Sequence, residues 1–197
     1  MRAPHREVTR RAAFPQRTLP FLPLLLLVSL LSSCRVPFAQ PPPLQRTVST
    51  EEAAAALEWA RRQLGAPYEF GARGPDRFDS SGIITWSYRQ AIPNFLLREG
   101  HRLVTDAPHR VIHAWNFQPL LPTQLQPGDL VFLTDGSRPI THGALFVRWV
   151  VPYEVMEFLD ASAYLGKVML QEWPLAGEKR GQRVVAVGRL KVLEPRR

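Results

Sequence analysis

Thiols are nearly absent: the chain of 197 residues has one cysteine, Cys34. No intramolecular disulfide and no cysteine-based zinc cage can form, and no thiol nucleophile exists beyond residue 34. Long apolar runs are missing too. The most hydrophobic stretch, residues 19–31, is broken by Pro20 and Pro23 and falls short of the roughly 20 residues that span a bilayer as a helix. There is no glycine-rich phosphate loop, no internal repeat and no dense Lys/Arg stripe. Half of the net charge of +8 sits on residues 1–33, where five arginines face a single glutamate. The mildly basic remainder suits an anionic polymer or a membrane surface, and lacks the phosphate track of a nucleic-acid binder. What is present is ordinary for a folded domain: 45% hydrophobic and 21% charged residues. That balance excludes a wholly disordered chain, a collagen-like repeat and a multi-span membrane protein.

The first 34 residues read as a targeting segment. A basic stretch from Arg2 to Arg17 precedes the apolar run, which ends in Leu31-Ser32-Ser33-Cys34. That ending resembles a bacterial lipobox, and the chain's only cysteine stands where a lipobox requires one. The expectation is a signal peptide over residues 1–33 and a lipidated Cys34, followed by a tether to residue 48. The tether contains Pro41-Pro42-Pro43, and at ~3.1 Å per residue an extended segment of this kind reaches ~40 Å. This places the protein in a bacterial cell envelope, lipid-anchored to a membrane and facing the cell wall.

The folded domain is expected over residues 49–197. Ser49-Thr50-Glu51-Glu52 is a capping box, opening an alanine-rich helix over residues 51–64 that turns Leu57, Trp59 and Leu64 toward a core and is closed by Gly65. A second helix runs from Ser80 or Ser81 to about Gln90. It carries Ile83, Ile84, Trp86 and Tyr88 on nearly every face, so it belongs at the centre of the fold. Residues 96–101 read as helical and the rest of 91–124 as irregular. From Pro127 onward the pattern turns to strands, at 130–133, 142–151, 154–159, 167–173 and 183–193. Helices followed by strands predict an α+β fold with an antiparallel sheet.

Three segments carry candidate chemistry. Phe78-Asp79-Ser80-Ser81-Gly82 opens the buried helix, Pro127-Gly128-Asp129 enters the first strand, and Thr141-His142-Gly143 enters the next. A small hydroxyl side chain at a helix N-terminus sits beside free backbone N–H groups that can stabilise an oxyanion. A histidine on a facing strand can take its proton, and a third polar group can fix the imidazole tautomer. Asp160, at the end of the following strand, is the candidate orienter. Ser80 taken alone reads as a helix N-cap, and only the flanking motif together with His142 raises the catalytic reading; Pro127-Gly128-Asp129 is explained as a turn. His101, His109 and His113 allow a helical pair at most, so no metal site is expected. Nothing in the chain calls for a cofactor. Trp59, Trp86 and Trp115 read as core.

Leu64-Gly65-Ala66-Pro67-Tyr68, then Phe78 to Gly82, then Pro127 to Phe132 and Thr141-His142, resemble in order and spacing the NlpC-type cell-wall peptidase family. The resemblance covers roughly residues 52–165. It implies a compact papain-like fold and cleavage of peptide bonds in peptidoglycan stem peptides. The family's hallmark is Asp-Cys-Ser-Gly, with cysteine as nucleophile. Carried over, Ser80 takes the nucleophile position, His142 the base and Asp160 the third polar position. Tyr68 matches a tyrosine near the oxyanion site, and Asp79 and Ser81 match residues that contact the substrate's amino end in some members. Three features depart from the family: serine replaces cysteine, Gly143-Ala144 follows the histidine, and the Pro-Arg segment is not recognisable in residues 92–100.

Serine for cysteine is not a neutral exchange. A thiol ionises near neutral pH, more so beside a histidine and a helix N-terminus. A hydroxyl must lose its proton as it attacks. Two functions follow, a membrane-tethered hydrolase using Ser80, His142 and Asp160, or a catalytically silent module that binds stem peptides. An acyltransferase on the same scaffold is a third.

Overall fold

A computed structural model of the chain describes residues 43–194. The leader, Cys34 and the tether as far as residue 42 lie outside the described residues. Strand β1 (Gln45–Thr47) precedes helix α1 (Thr50–Arg61) and helix α2 (Ser80–Ala91). A hairpin of β2 (Leu97–Glu99) and β3 (Arg102–Val104) leads to helix α3 (His109–Trp115) and strand β4 (Phe117–Pro119). Strands β5 (Leu130–Thr134), β6 (His142–Val151), β7 (Val155–Ser162), β8 (Lys167–Pro174) and β9 (Arg183–Leu193) complete the chain. The main sheet has the order β1-β9-β5-β6-β7-β8, with β4 also paired to β9, and its pairings are antiparallel. The α+β expectation holds.

Strand alternation explains why both faces of this sheet are covered. Leu130 and Phe132 of β5, Leu145 and Val147 of β6, and Leu159 and Ala161 of β7 pack with the helices, against residues such as Leu57, Ile83 and Ile84. The intervening Val131, Leu133, Ala144, Phe146, Met156 and Phe158 form a second apolar cluster with Trp173 and Val187. A strand buried on both faces reads as a continuous apolar run, as Leu130-Val131-Phe132-Leu133 does. Helix α2 is the central element that its all-round apolar pattern requires, with every residue from Ser80 to Tyr88 buried. Its Trp86 makes edge contacts with Phe78 at 5.4 Å and Trp59 at 6.1 Å between ring centroids.

Several local expectations are corrected. The capping box at Ser49 and Glu52 is present, yet α1 ends at Arg61, before Leu64. The chain turns there because Gly65 donates its N–H to Val168 at the sheet edge, 2.9 Å away, and Leu64 is left 45% exposed. Residues 96–101 form a hairpin arm and its turn, not a helix. Glu99 pairs with Arg102 across Gly100-His101, and Gly100 adopts the positive φ such a tight turn demands. Helix α3 lies in the stretch read as irregular, and Trp115 at its end is exposed.

The Pro127-Gly128-Asp129 turn is structural, as its sequence suggested, and it ties the layers together. A Cβ on Gly128 would strike the backbone oxygen of Ala53 in α1, so only glycine permits that approach. Tyr88 of α2 donates its hydroxyl to the Gly128 carbonyl at 2.8 Å. Asp129, fully buried, accepts a two-pronged contact from Arg189 of β9 at 2.7 and 3.0 Å. Removing one member of a buried ion pair leaves the other uncompensated. Arg189→Met is therefore expected to cost about 3 kcal/mol of unfolding free energy, read as a lowered urea midpoint with an unchanged m-value. A midpoint equal to the native one would dismiss the pair as a stabilising tie.

Candidate active site

The site is built from the start of α2 outward. Asp79 is the N-cap, and its carboxylate accepts from Gly82 N–H at 2.6 Å, Gly71 N–H at 3.0 Å, Ser81 Oγ at 2.8 Å and Arg73 Nη1 at 2.6 Å. Arg73 also donates to Ser81 Oγ at 2.7 Å and reaches Asp106 at 2.7 Å through Nε. Asp106 in turn accepts from Thr85 of α2 at 2.6 Å. Gly82 has no room for a side chain, because a Cβ there would meet the Ala72 carbonyl oxygen. The capping role therefore belongs to Asp79 and not to Ser80. Ser80 is the first residue of the helix, 6% exposed. Among the described residues its Oγ makes no hydrogen bond.

His142 is the first residue of β6, and its Nε2 lies 2.7 Å from Asp160 Oδ2. Asp160 stands within β7, which runs to Ser162 instead of ending at Leu159. Its carboxylate is 1% exposed and accepts a second hydrogen bond, from Gln171 Nε2 at 2.8 Å. Gln171 Oε1 accepts from Arg180 Nη1 at 2.6 Å. An ionised carboxylate only accepts, so Nε2 of His142 carries the proton. Nδ1 is then the nitrogen with a free lone pair, and a base at this position acts through it. Among the described residues no hydrogen bond joins His142 to Ser80.

Sequence reasoning missed His109. The spacing of His109 and His113 reads as a helical pair, and both do lie on α3, but nothing in that spacing reveals the contact with His142. The two imidazole rings are 6.1 Å apart between centroids. His109 also covers Gly143, where a Cβ would come within 2.7 Å of its Cδ2 and 3.0 Å of its Nε2. A signal was available in Gly143 itself, since glycine inside an apolar strand marks close approach by another group. The residue is half-buried, but its Nε2 is buried and has no partner among the described residues. Burial, reinforced by the charge of His142 and opposed by the Ser80 backbone, pushes the His109 imidazole down to about 4. It is neutral at neutral pH.

Tyr68 joins the other end of the cluster through a bridge to Phe78. Its hydroxyl is pushed up, first by burial and then by the charge of Asp79. Among the described residues no group of three or more His, Cys, Asp or Glu side chains is placed to hold a metal ion.

The model of the NlpC/P60 family matches residues 65–183. The chain belongs to the NlpC/P60 family. It is 35% identical over 88 residues to the probable endopeptidase p60 of Listeria grayi, covering 45% of this chain and 15% of that one. A probable endopeptidase of Corynebacterium glutamicum is 30% identical over 107 residues, 53% of this chain and 44% of the relative. The chain thus spans less than half the length of these curated relatives. Among solved structures, NlpC1 from Trichomonas vaginalis superposes with a TM-score of 0.53 at 24% identity, over 75% of this chain and 47% of that one. That likeness establishes the fold, the papain-like NlpC/P60 architecture.

A depressed histidine links the NlpC/P60 site to acid stability. The unfolded chain takes up the His109 proton near pH 6.5 and the folded chain only near 4, so stability is full above that window and falls as the pH descends through it. Between pH 7 and pH 4 the native protein is expected to lose roughly 1–3 kcal/mol more than His109→Gln, measured by urea unfolding at each pH. Identical losses in the two proteins would assign the acid sensitivity elsewhere.

Proposed function

We propose that this NlpC/P60 domain hydrolyses peptide bonds in peptidoglycan stem peptides, with Ser80 as nucleophile, His142 as general base and Asp160 as the residue that orients it. The observation that carries this reading is the contact between half-buried His142 and buried Asp160, which fixes one imidazole nitrogen and leaves the other free. In the reaction, Ser80 Oγ attacks the scissile carbonyl while its proton passes to His142 Nδ1. The oxyanion is met by the N–H groups at the start of α2, beside Tyr68. His142 then returns the proton to the leaving nitrogen, and a water activated by the same nitrogen releases the acyl-serine. Asp79 and Ser81 contact the amino end of the substrate. The lipidated Cys34 and the proline-rich tether hold the domain in the cell envelope, at a membrane and facing the wall. The relatives' names, probable endopeptidases, agree with this chemistry.

A second reading has one observation of its own in favour. Ser80 Oγ and His142 share no hydrogen bond, as a module that binds stem peptides without turnover would allow. Mass spectrometry of muropeptides incubated with the full chain separates the two. Cleavage products are expected with the native protein and none with Ser80→Ala, while Ser80→Cys, whose thiol ionises more readily, is expected to be active. Products from Ser80→Cys alone would establish the binding module, with the rest of its machinery intact. Products from Ser80→Ala at the native rate would remove Ser80 from the nucleophile position.

A further inference from the structure

His142 depends on Asp160, and Asp160 in turn on a side chain that the proposed reaction leaves unused. The carboxylate gives each of its oxygens a different partner: Oδ2 lies 2.7 Å from His142 Nε2, and Oδ1 accepts from Gln171 Nε2 at 2.8 Å. Turning the carboxylate out of this plane would weaken both contacts, so the amide holds it where His142 needs it. Gln171 is half-buried on β8. Its amide could stand either way round, since oxygen and nitrogen differ little in size and only their partners distinguish them. An ionised carboxylate accepts and cannot donate, whereas a guanidinium donates and cannot accept. Gln171 lies between one of each, because Arg180 Nη1 donates to its Oε1 at 2.6 Å. Turned over, the amide would set its oxygen against the carboxylate and its NH2 against the guanidinium. Arg180 thus decides which end of the amide faces Asp160.

Arg180 comes from the turn between β8 and β9. Lys179 and Gln182 exchange backbone hydrogen bonds of 2.9 and 3.0 Å across Arg180-Gly181, both of which have positive φ. The turn is fastened back onto two successive residues of β8, since Lys179 Nζ donates to the Glu172 carbonyl at 2.7 Å and Arg180 donates to Gln171. Tyr164, between β7 and β8, places its ring centre 5.0 Å from the guanidinium, a cation–π contact that steadies the side chain. Among the described residues the only hydrogen bond of that guanidinium is the one to Gln171. Asp135 and Asp160 line the same cavity as Arg180, yet neither takes the cation from the amide: Asp135 accepts from Ser137, and Asp160 from His142 and Gln171.

We propose that Gln171 and Arg180 are positioning residues for the base. Gln171 fixes the Asp160 carboxylate and, through it, the proton of His142 on Nε2; Arg180 fixes the amide of Gln171. Neither touches the substrate. The consequence is a lone pair kept on His142 Nδ1, the nitrogen that takes the Ser80 proton, so the proposal rests on the catalytic reading given above. Without the amide, Asp160 Oδ1 has no partner in a nearly dry site, the carboxylate is free to turn, and His142 loses its fixed acceptor.

The test reads the tautomer and the turnover separately, on the full chain. With histidine labelled by nitrogen-15, the His142 ring signals are assigned by their loss in His142→Gln and recorded at a pH where the ring is neutral. The native protein is expected to show a protonated Nε2 and a bare Nδ1. In Gln171→Leu the two nitrogen shifts are expected to converge toward a tautomer mixture, with kcat on muropeptides about tenfold lower, the factor that one hydrogen bond to a charged group supplies, and KM unchanged. Arg180→Met, on an exposed turn where folding is not at stake, is expected to move both readouts in the same direction. Arg180→Lys, which keeps a donor for Oε1, is expected to restore them, and Arg148→Gln, at a separate exposed ion pair, to leave them native. Native His142 shifts in both Gln171→Leu and Arg180→Met overturn the proposal, whatever happens to kcat. A tautomer that depends on Gln171 in a protein that cleaves no muropeptide would remove the catalytic reading and leave the positioning intact. Cleavage at the native rate in both variants, with unmoved shifts, would do the reverse.

Discussion

The carboxylate of Asp79 gathers the Gly71 and Gly82 amides, the Ser81 hydroxyl and the Arg73 guanidinium at one point, and the start of helix α2 is fixed by that convergence. The first turn of a helix leaves N–H groups unsatisfied. Here one of them is used to cap the helix and the others stay near Ser80. Because Asp79 performs the capping, the serine that follows is released from it. Gly82 lets the loop at Ala72 press against the helix, and Arg73 carries the same restraint to Asp106. From there it returns to the helix through Thr85. The position of Ser80 thus depends on a closed circuit of polar contacts and not on the hydrophobic core alone.

The opposite half of the site depends on sheet register. Asp160 is directly paired with Met169, and Gln171 with Phe158. The Asp160–Gln171 hydrogen bond is therefore a diagonal contact between residues two positions apart in register, within reach of a long side chain. A slip of β8 by one residue would turn Gln171 to the other face, away from Asp160. Asp160 is an acid in a nearly dry environment, where an unpaired charge is strongly penalised. The imidazole and the amide together make that charge tolerable, and Arg180 holds the amide in turn. A surface arginine on a hairpin tip is thereby connected to the histidine through two intermediate side chains.

How much of this was legible varies with the kind of signal. Strands β6 and β9 coincide with the expected ranges because long β-branched and apolar runs bounded by turns leave little freedom. The α1 cap was legible because a capping box is a local pattern that needs no partner elsewhere. The β2–β3 hairpin was not, since arms of three residues each are too short to show a strand's alternation. Ser80, His142 and Asp160 stood out as a candidate site only when whole motifs were taken together, because each alone has an ordinary structural explanation. His109 was invisible for a different reason. Its neighbours belong to α2 and β6, and long-range packing of a single histidine leaves no local trace except the missing side chain at Gly143.

That unforeseen histidine bears on the exchange of cysteine for serine. In the proposed reaction a hydroxyl cannot ionise in advance, so the proton transfer to His142 carries more of the barrier than it would with a thiol. What helps is whatever stabilises the imidazolium as it forms. The ionised, almost fully buried Asp160 does so at 2.7 Å, in surroundings where little water screens the attraction. A second imidazole 6.1 Å away would oppose the same charge if it were protonated. Burial pushes it down to about 4, so at neutral pH it adds bulk and a dipole without adding charge. The desolvation that leaves His109 neutral thus preserves the electrostatic advantage that a serine nucleophile needs and that a cysteine could more easily do without.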